Sequence, residues 1–553
     1  MRRLVGLMLG CVCSGLAWAS DCVSYWQADD RALFRFVQTR EKASFADYEG
    51  LSIGNIEVVV LPVFNTANPD EDLWLYRLAN RVHIPTRRAT VRRQLTLRSG
   101  AAVSTREVEE NERLLRQKTY FADAMILPAQ RCGDQLDLLV VVRDVWTLTP
   151  IASASRQGGE DTASAGLSYD NAFGSGQSVT VAWSRDVERD SVTTAWSATD
   201  LFRQHVSASL AYVDSSDGEL RLVDLQRPFY QLDSRWSAGV RWYQERYQED
   251  VELLDVLLNR YSHETRFQEV MLGWSSGLHE GRVVRWRVGL REREQWFVAT
   301  DPPSTVPADE RLLYPWLSAE SLSDRFWRAT NISFSHRQED IPLGWRWQVG
   351  AGVADRHWQS SEDAWLYQLG ISHTRRGGNH HLARVSLDTQ GRWRTETDEL
   401  VDSVAALEAR YYYFISRKDR WFASLRLEAA RGIRQDQELT SGGSDILRGY
   451  PLNTQRGDRR WVFTVERRHF TDWHPFNLIR VGGAVYVDAG RSWDARDRYV
   501  QSSQTLINTG VGLRFSSSKS RVDRVLHVDY AIPLVARDLV DDHQLVIVGK
   551  LEF

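Results

Sequence analysis

From about residue 150 to its end this chain alternates apolar with polar or small residues at period two. That period belongs to the β-strand, where successive side chains point to opposite faces. The segments 178–183, 205–212, 236–242, 330–334, 345–353 and 424–428 show it most clearly. No stretch after the N-terminus reaches the roughly 18 consecutive apolar residues of a spanning helix. Residues 174–176 and 214–218 supply tight turns, and 301–315, with its prolines, reads as a loop unsuited to a central strand. Counting alternating segments gives roughly sixteen to twenty strands.

The N-terminus reads as a secretory signal over residues 1–19. Arg2 and Arg3 are its positive start, residues 4–16 its apolar core, and Ala17-Trp18-Ala19 a small-residue cleavage site. An acylated start at Cys22 is disfavoured because Asp21 stands where a small residue is needed. Cys11 and Cys13 leave with the signal. Cys22 and Cys132 remain in an oxidising compartment, either bridged or as two free thiols.

An exported chain with no helical span either stays soluble or closes an antiparallel β-barrel in the outer membrane. The aromatic content favours the barrel: Trp236, Trp242, Tyr243 and Tyr411-Tyr412-Tyr413 stand near segment ends, as interfacial girdles do. No repeat of propeller-blade length is present, and residues 544–553 alternate up to a terminal Phe553.

Before the barrel, residues 20–50 form a polar and aromatic N-terminal segment. A small α+β unit follows over 51–149, and the barrel covers 150–553. The expected order is a strand at 53–64, helices at 72–83 and 89–97, and a third helix opened by the capping box Ser104-Thr105-Arg106-Glu107. Val108, Leu114 and Leu115 are that helix's apolar face. Strands at 122–128 and 136–142 then pair across Arg131-Cys132-Gly133-Asp134.

A net charge of −4 argues against a general nucleic-acid surface. No nucleophile elbow, zinc-binding helix motif or phosphate loop is present, so an enzyme and a cofactor are not expected. His380-His381 is no metal pair, because adjacent strand residues face opposite ways. Arg456-Gly457-Asp458 reads as a coincidental tripeptide.

The motifs that remain are specific. Gly442-Gly443-Ser444-Asp445-Ile446-Leu447-Arg448-Gly449-Tyr450-Pro451 is a stiff turn carrying one cation. Downstream stand Gly457, Glu466, and Asp488 within Val485-Tyr486-Val487-Asp488-Ala489-Gly490-Arg491-Ser492-Trp493, then 510–515 and 529–533. Together these resemble the BamA-type superfamily of outer-membrane assembly factors and two-partner-secretion transporters. The 51–149 unit resembles that family's POTRA domain, with an unmatched insertion at 65–85. Asp170-Asn171-Ala172-Phe173-Gly174-Ser175-Gly176-Gln177 is similar to its first barrel hairpin.

The resemblance implies a transmembrane antiparallel β-barrel of sixteen strands behind a POTRA-like periplasmic domain. It implies that the Leu447-Arg448-Gly449-Tyr450 loop folds into the lumen, with Arg448 facing Glu466 and Asp488. It implies insertion or export of polypeptide clients, bound through the POTRA-like domain, without nucleotide. A seam between residues 167–169 and 545–553 would open laterally. The alternative is a passive or gated pore for small solutes, and a third reading is a lipid-handling scaffold.

Overall fold

The computed structural model describes residues 22–550 apart from 26–32, 35–43, 158–159, 187, 203, 254–255, 301–304, 334–335, 444–445, 497, 499–503, 521–524, 538–539 and 541. The signal, Ser444, Asp445 and Phe553 lie outside the described residues.

The N-terminal domain is a four-stranded sheet of order β1-β3-β4-β2. Its strands are β1 (Cys22–Ser24), β2 (Ser52–Leu61), β3 (Phe121–Cys132) and β4 (Gln135–Asp144). Between β2 and β3 run α1 (Trp74–Val82), α2 (Arg88–Gln94) and α3 (Thr105–Arg116). β2 and β4 pair in parallel, which the helical crossover between them permits; β3 and β4 form a hairpin. The near-continuous apolar runs of β2 and β4 are explained by burial on both faces. One face carries Ile53, Val58, Val140 and Val142 against Val108 and Leu115 of α3, and the other carries Val59, Leu61, Val141 and Met125 against Leu33 and Phe34.

Two expectations are revised here. Because β1 pairs with the end of β3, part of the 20–50 segment belongs to the same sheet as 51–149. Ser104 does precede α3, but its side chain makes no cap. Glu49 does that work, accepting from Thr105 N at 2.9 Å and Thr105 Oγ1 at 2.7 Å.

The rest is a closed antiparallel barrel of twenty described strands rather than sixteen. In order they are β5 (Leu148–Gln157), β6 (Glu160–Tyr169), β7 (Gln177–Arg185), β8 (Asp190–Leu201), β9 (Val206–Ser215), β10 (Gly218–Arg227), β11 (Trp236–Leu253), β12 (Val256–His279), β13 (Arg282–Ala299) and β14 (Glu310–Ser323). The hairpin β15 (Phe326–Thr330) and β16 (Gln338–Pro342) stands outside the barrel sheet. The barrel resumes with β17 (Gly344–Ala354), β18 (Ala364–Gly377), β19 (His381–Arg394), β20 (Glu399–Phe414) and β21 (Asp419–Arg431). A short pair, β22 (Leu439–Ser441) and β23 (Gln455–Gly457), closes the base of a long loop. Last come β24 (Arg459–Phe470), β25 (Ile479–Trp493), β26 (Leu506–Ser517), β27 (Val525–Pro533) and β28 (Gln544–Lys550).

The sixteen strands that the resemblance implied fall short, whereas twenty lies within the count of alternating segments. β28 lies beside β5, so the seam joins the C-terminal strand to residues 148–157, not to 167–169. The turn at 170–176 is accordingly the second barrel connection from the N-terminal side. Of the segment expected as a strand at 330–334, Thr330 ends β15, residues 331–333 turn out of it, and Phe334 lies outside the described residues. Pro315 sits inside β14, opposite Leu290 of β13. It is tolerated because pairing of β14 with β17 spans only Trp316 to Ser321, so no ladder bond is lost on that side.

Parity separates the two barrel faces. Val485, Val487, Val511, Leu513, Leu425 and Leu427 are exposed outward, while Tyr486, Asp488, Arg514 and Glu428 are buried inward. Exposed Trp236, Trp274, Trp286, Trp345, Tyr411, Tyr413 and Trp421 mark the rim nearest the N-terminal domain, and Trp183, Trp365 and Trp393 the far rim. Tyr412 and Tyr243 depart from the expected girdle: Tyr412 is buried against Phe422, and Tyr243 lines an interior cavity. Among the described residues no helix is long and apolar enough to cross a membrane, which says nothing of strands.

Cys22 and Cys132 form a disulfide with Cα atoms 4.3 Å apart, closing a sequence separation of 110 residues. Alkylation of oxidised protein should label neither thiol, and labelling of both would contradict the bridge. Replacing both with serine should destabilise the domain by about 2–5 kcal/mol, the usual cost of losing a native bridge, read by denaturant unfolding.

Candidate functional site

Two clusters occupy opposite ends of the barrel interior. At the far end the loop between β21 and β24 turns inward. Gly443 N donates to Tyr450 O at 2.8 Å, closing the loop tip. Gly449 has φ +83°, and a Cβ there would stand 3.1 Å from the Ala531 side chain, so this turn needs glycine. Leu447 and Tyr450 are fully buried with Leu506. The Tyr450 hydroxyl lies 2.7 Å from Ile507 O and 3.0 Å from Val535 O, and accepts from Ile507 N at 3.1 Å.

These contacts aim Arg448 at the wall. Its Nε and Nη2 donate to the two oxygens of Asp488 on β25, both at 2.8 Å. Nη1 lies 2.9 Å from Glu466 Oε1 on β24 and 3.9 Å from Asp529 Oδ2 on β27. The guanidinium carbon stacks 3.4 Å from the Tyr486 ring centroid. Arg468 Nε donates to Glu466 at 2.7 Å, and Arg514 Nη1 to Asp529 at 2.7 Å. Three arginines thus face three carboxylates in a buried, charge-balanced cluster.

Arg448, Glu466 and Asp488 were named from the sequence, and the structure brings them together. Tyr486, Arg468, Arg514 and Asp529 lie in or beside those motif strands but carry no expected role there; the structure adds them to the cluster. Tyr486 and Arg468 were findable: each stands two residues from a named carboxylate and therefore shares its face.

The near end is closed differently. α3 presents Glu112 and Arg116, an i,i+4 pair, to the β15–β16 hairpin. Arg116 donates to both Asp340 oxygens at 2.9 and 3.0 Å. Arg328 Nη2 donates to Glu112 Oε2 at 2.6 Å. The same two side chains also hold the outer edge of β3: Ile126 N donates to Glu112 Oε1 at 2.9 Å, and Arg116 Nη1 to Ala124 O at 3.1 Å. One turn earlier Arg113 lies over the Phe326 ring, 4.1 Å from its centroid, and Glu110 accepts from Leu232 N at 2.7 Å. Burial raises the Glu110 carboxyl above its usual range, against the lowering pull of that N–H and of Arg106 and Arg113.

On its other side the hairpin packs Ala329 and Ile332 against the inward-facing Leu382, Tyr412 and Phe422. The hairpin and α3 therefore lie across the near mouth. Further contacts seat the domain on neighbouring turns: Arg93 on Asp200 at 3.2 Å, Thr90 Oγ1 on Gly174 O at 2.8 Å, and Lys519 Nζ on Glu71 at 2.7 Å. Gly174 has φ +69°, and a Cβ would come within 2.4 Å of Pro85 O, so glycine alone allows this approach. Burial lowers the Lys519 pKa, against the opposing effect of Glu71.

Between the two ends the lumen is lined by paired charges, including Arg287 with Glu320 at 2.8 Å and Arg460 with Glu428 at 2.6 Å. A cavity of about 460 Å³ opens among Tyr243, Phe267, Arg291 and Tyr314. Among the described residues no His, Cys, Asp and Glu group has the makings of a metal site.

No protein-family model matches the chain, and no curated protein matches it in sequence. Among solved structures it is similar to CdiB from Escherichia coli, at 12% identity over 90% of this chain and 76% of that one, with a TM-score of 0.44. It is similar to CdiB from Acinetobacter baumannii, at 14% identity over 90% of this chain and 73% of that one, with a TM-score of 0.42. A third is BamA from Haemophilus ducreyi lacking POTRA domains 1-3, at 13% identity over 90% of this chain and 84% of that one, with a TM-score of 0.38.

Removing one partner of a buried ion pair strands the others without solvent. Arg448→Ala should therefore lower barrel stability by about 3–5 kcal/mol, reduced to the extent that water enters the lumen. Arg185→Ala, which breaks an exposed pair with Asp190, should cost about 1 kcal/mol or less. Equal losses of the heat-resistant folded band on unboiled gels would show that the Arg448 cluster carries no special weight.

Proposed function

We propose that this chain is an outer-membrane barrel that inserts or exports polypeptides, with the N-terminal domain in the periplasm as a POTRA-like client receptor. The membrane part rests on the outward apolar band between two aromatic rims, a surface that water would not tolerate at that size. The export signal read at 1–19 supports that compartment.

The observation that carries the polypeptide part is the double engagement of Glu112 and Arg116. An extended client joining the outer edge of β3 needs the Ile126 N–H and the Ala124 C=O. Those groups are held by the two side chains that also hold the hairpin through Arg328 and Asp340. Client pairing would displace both side chains from the β3 edge and so loosen their hold on the hairpin at the near mouth. The step needs no nucleotide: backbone pairing and burial of client side chains supply the free energy. The Arg448 cluster keeps the far loop inside while the near end responds.

A second reading has its own support. The charge-lined lumen and its cavity suit a pore for small polar solutes. The two readings part in one set of measurements. Photocrosslinkers placed at Ala122 and Ala129, the half-buried positions of β3 flanking Ala124 and Ile126, should capture exported or outer-membrane polypeptides in living cells. Deleting residues 327–341 should raise single-channel conductance, whereas full-length protein should stay closed until a client strand is added. If no polypeptide is captured and full-length protein conducts steadily alone, the pore reading replaces this one. A disulfide between β5 and β28 should block lateral insertion and spare passage through the lumen.

A further inference from the structure

The segment 65–85, which has no counterpart in the POTRA pattern, folds as a helix with two unlike faces. One face of α1 is docked. Tyr76 and Ala79 pack with Val63, Phe64, Trp146 and Leu478, and the Asn80 side chain bonds Phe64 N and O at 3.1 and 2.9 Å. The opposite face should be polar if water covers it. Instead Trp74, Leu78 and Val82 follow at i, i+4 and i+8, with Leu75 beside them, and Leu73 and Ile84 flank the helix. Trp74 is 69% exposed and Val82 61%. Arg77 and Arg81 border this arc, and exposed Arg87, Arg88 and Arg92 follow it.

The helix is pinned at both ends to barrel turns. At its start Asn477 Nδ2 donates to Asp70 O at 2.8 Å, and the Tyr76 hydroxyl donates to Phe476 O. Beyond its end Asn171 Nδ2 donates to Thr86 Oγ1 at 2.7 Å, and Arg87 N to Gly174 O at 3.0 Å. In barrel order the strands between those two turns are β25 to β28, β5 and β6. The helix therefore underlies the β28–β5 seam. The same turns carry Phe476, 77% exposed, and Trp473 and Phe173, each 64% exposed.

We propose that α1 is an interfacial helix that lies in the periplasmic leaflet of the outer membrane beneath the seam and binds anionic phospholipid. An apolar arc with Trp and Leu, bordered by arginine, is the pattern of a helix lying in the headgroup plane. The arc adjoins turns whose exposed aromatics end the barrel's own apolar band, and the arginines match anionic headgroups. This inference rests on the membrane reading above. Its consequence is local: a helix wedged into the leaflet fixes the domain's height under the strands that would part.

The test uses the mature full-length protein in nanodiscs of phosphatidylethanolamine and phosphatidylglycerol. An environment-sensitive fluorophore is placed on Leu78→Cys, on Val511→Cys in the outward face of β26, or on Ser99→Cys in the domain. Doxyl-labelled phospholipids quench whatever touches the bilayer. Val511 and Leu78 should be quenched several-fold more than Ser99, with Leu78 favouring the shallow label. Arg77→Glu with Arg81→Glu should reduce the Leu78 signal most in phosphatidylglycerol-rich discs. Quenching at Val511 alone would overturn the interfacial helix while sparing the barrel's membrane placement. No quenching at either site would sink the membrane reading itself. Concentration-dependent dimers crosslinked through the position 78 cysteine, without quenching, would assign the face to a second copy.

Discussion

A sheet whose outer face is apolar has no tolerable edge. Every N–H and C=O on an edge strand needs a partner, and hydrocarbon offers none. Closure of β28 against β5 removes both edges together, and the rest of the molecule depends on that ring. Closure divides the residues of every strand into an outer and an inner set. The inner set of a wide barrel meets neither lipid nor a packed core, so it must be wet, paired or filled.

This chain uses all three answers. Paired charges line the middle, and a loop fills the far end. The near end takes a hairpin and a helix. The loop's arginine cannot give up its charge, so its entry obliges the wall to supply carboxylates. Glu466, Asp488 and Asp529 come from three different strands, with Arg468 and Arg514 balancing the surplus. Such a cluster holds a loop in one place because each departure leaves several charges unpaired at once.

At the near mouth the energetics differ. Glu112 and Arg116 each serve two masters, a sheet edge and a hairpin, through hydrogen bonds that a backbone strand offers equally well. A client strand would replace the β3 bonds with backbone bonds, and the released Glu112 and Arg116 still have one another, 3.4 Å apart. That balance suits a responsive contact, whereas the Arg448 cluster suits a fixed one.

Much of this was legible in the residues. The family resemblance placed Glu466 and Asp488 on the inner face, and Gly449 beside Arg448 announced a turn. The helices and the β3–β4 pair followed from apolar spacing, and Cys22 and Cys132 were the only cysteines outside the expected signal. What the residues left open has a common cause. Alternation says which face a side chain takes but not which strand lies next door, so the count of twenty, the β28–β5 seam and the Asp529 contribution needed the closed ring. The β15–β16 hairpin carries the same alternation as a barrel strand, and only its packing on Leu382, Tyr412 and Phe422 turned it inward. Ser104 looked like a cap until Glu49, 55 positions earlier in the chain than α3's own Ser104, took the role through space. Local chemistry was written in order along the chain; the meeting of Glu112 with Arg328, more than two hundred residues apart, was decided by the fold alone.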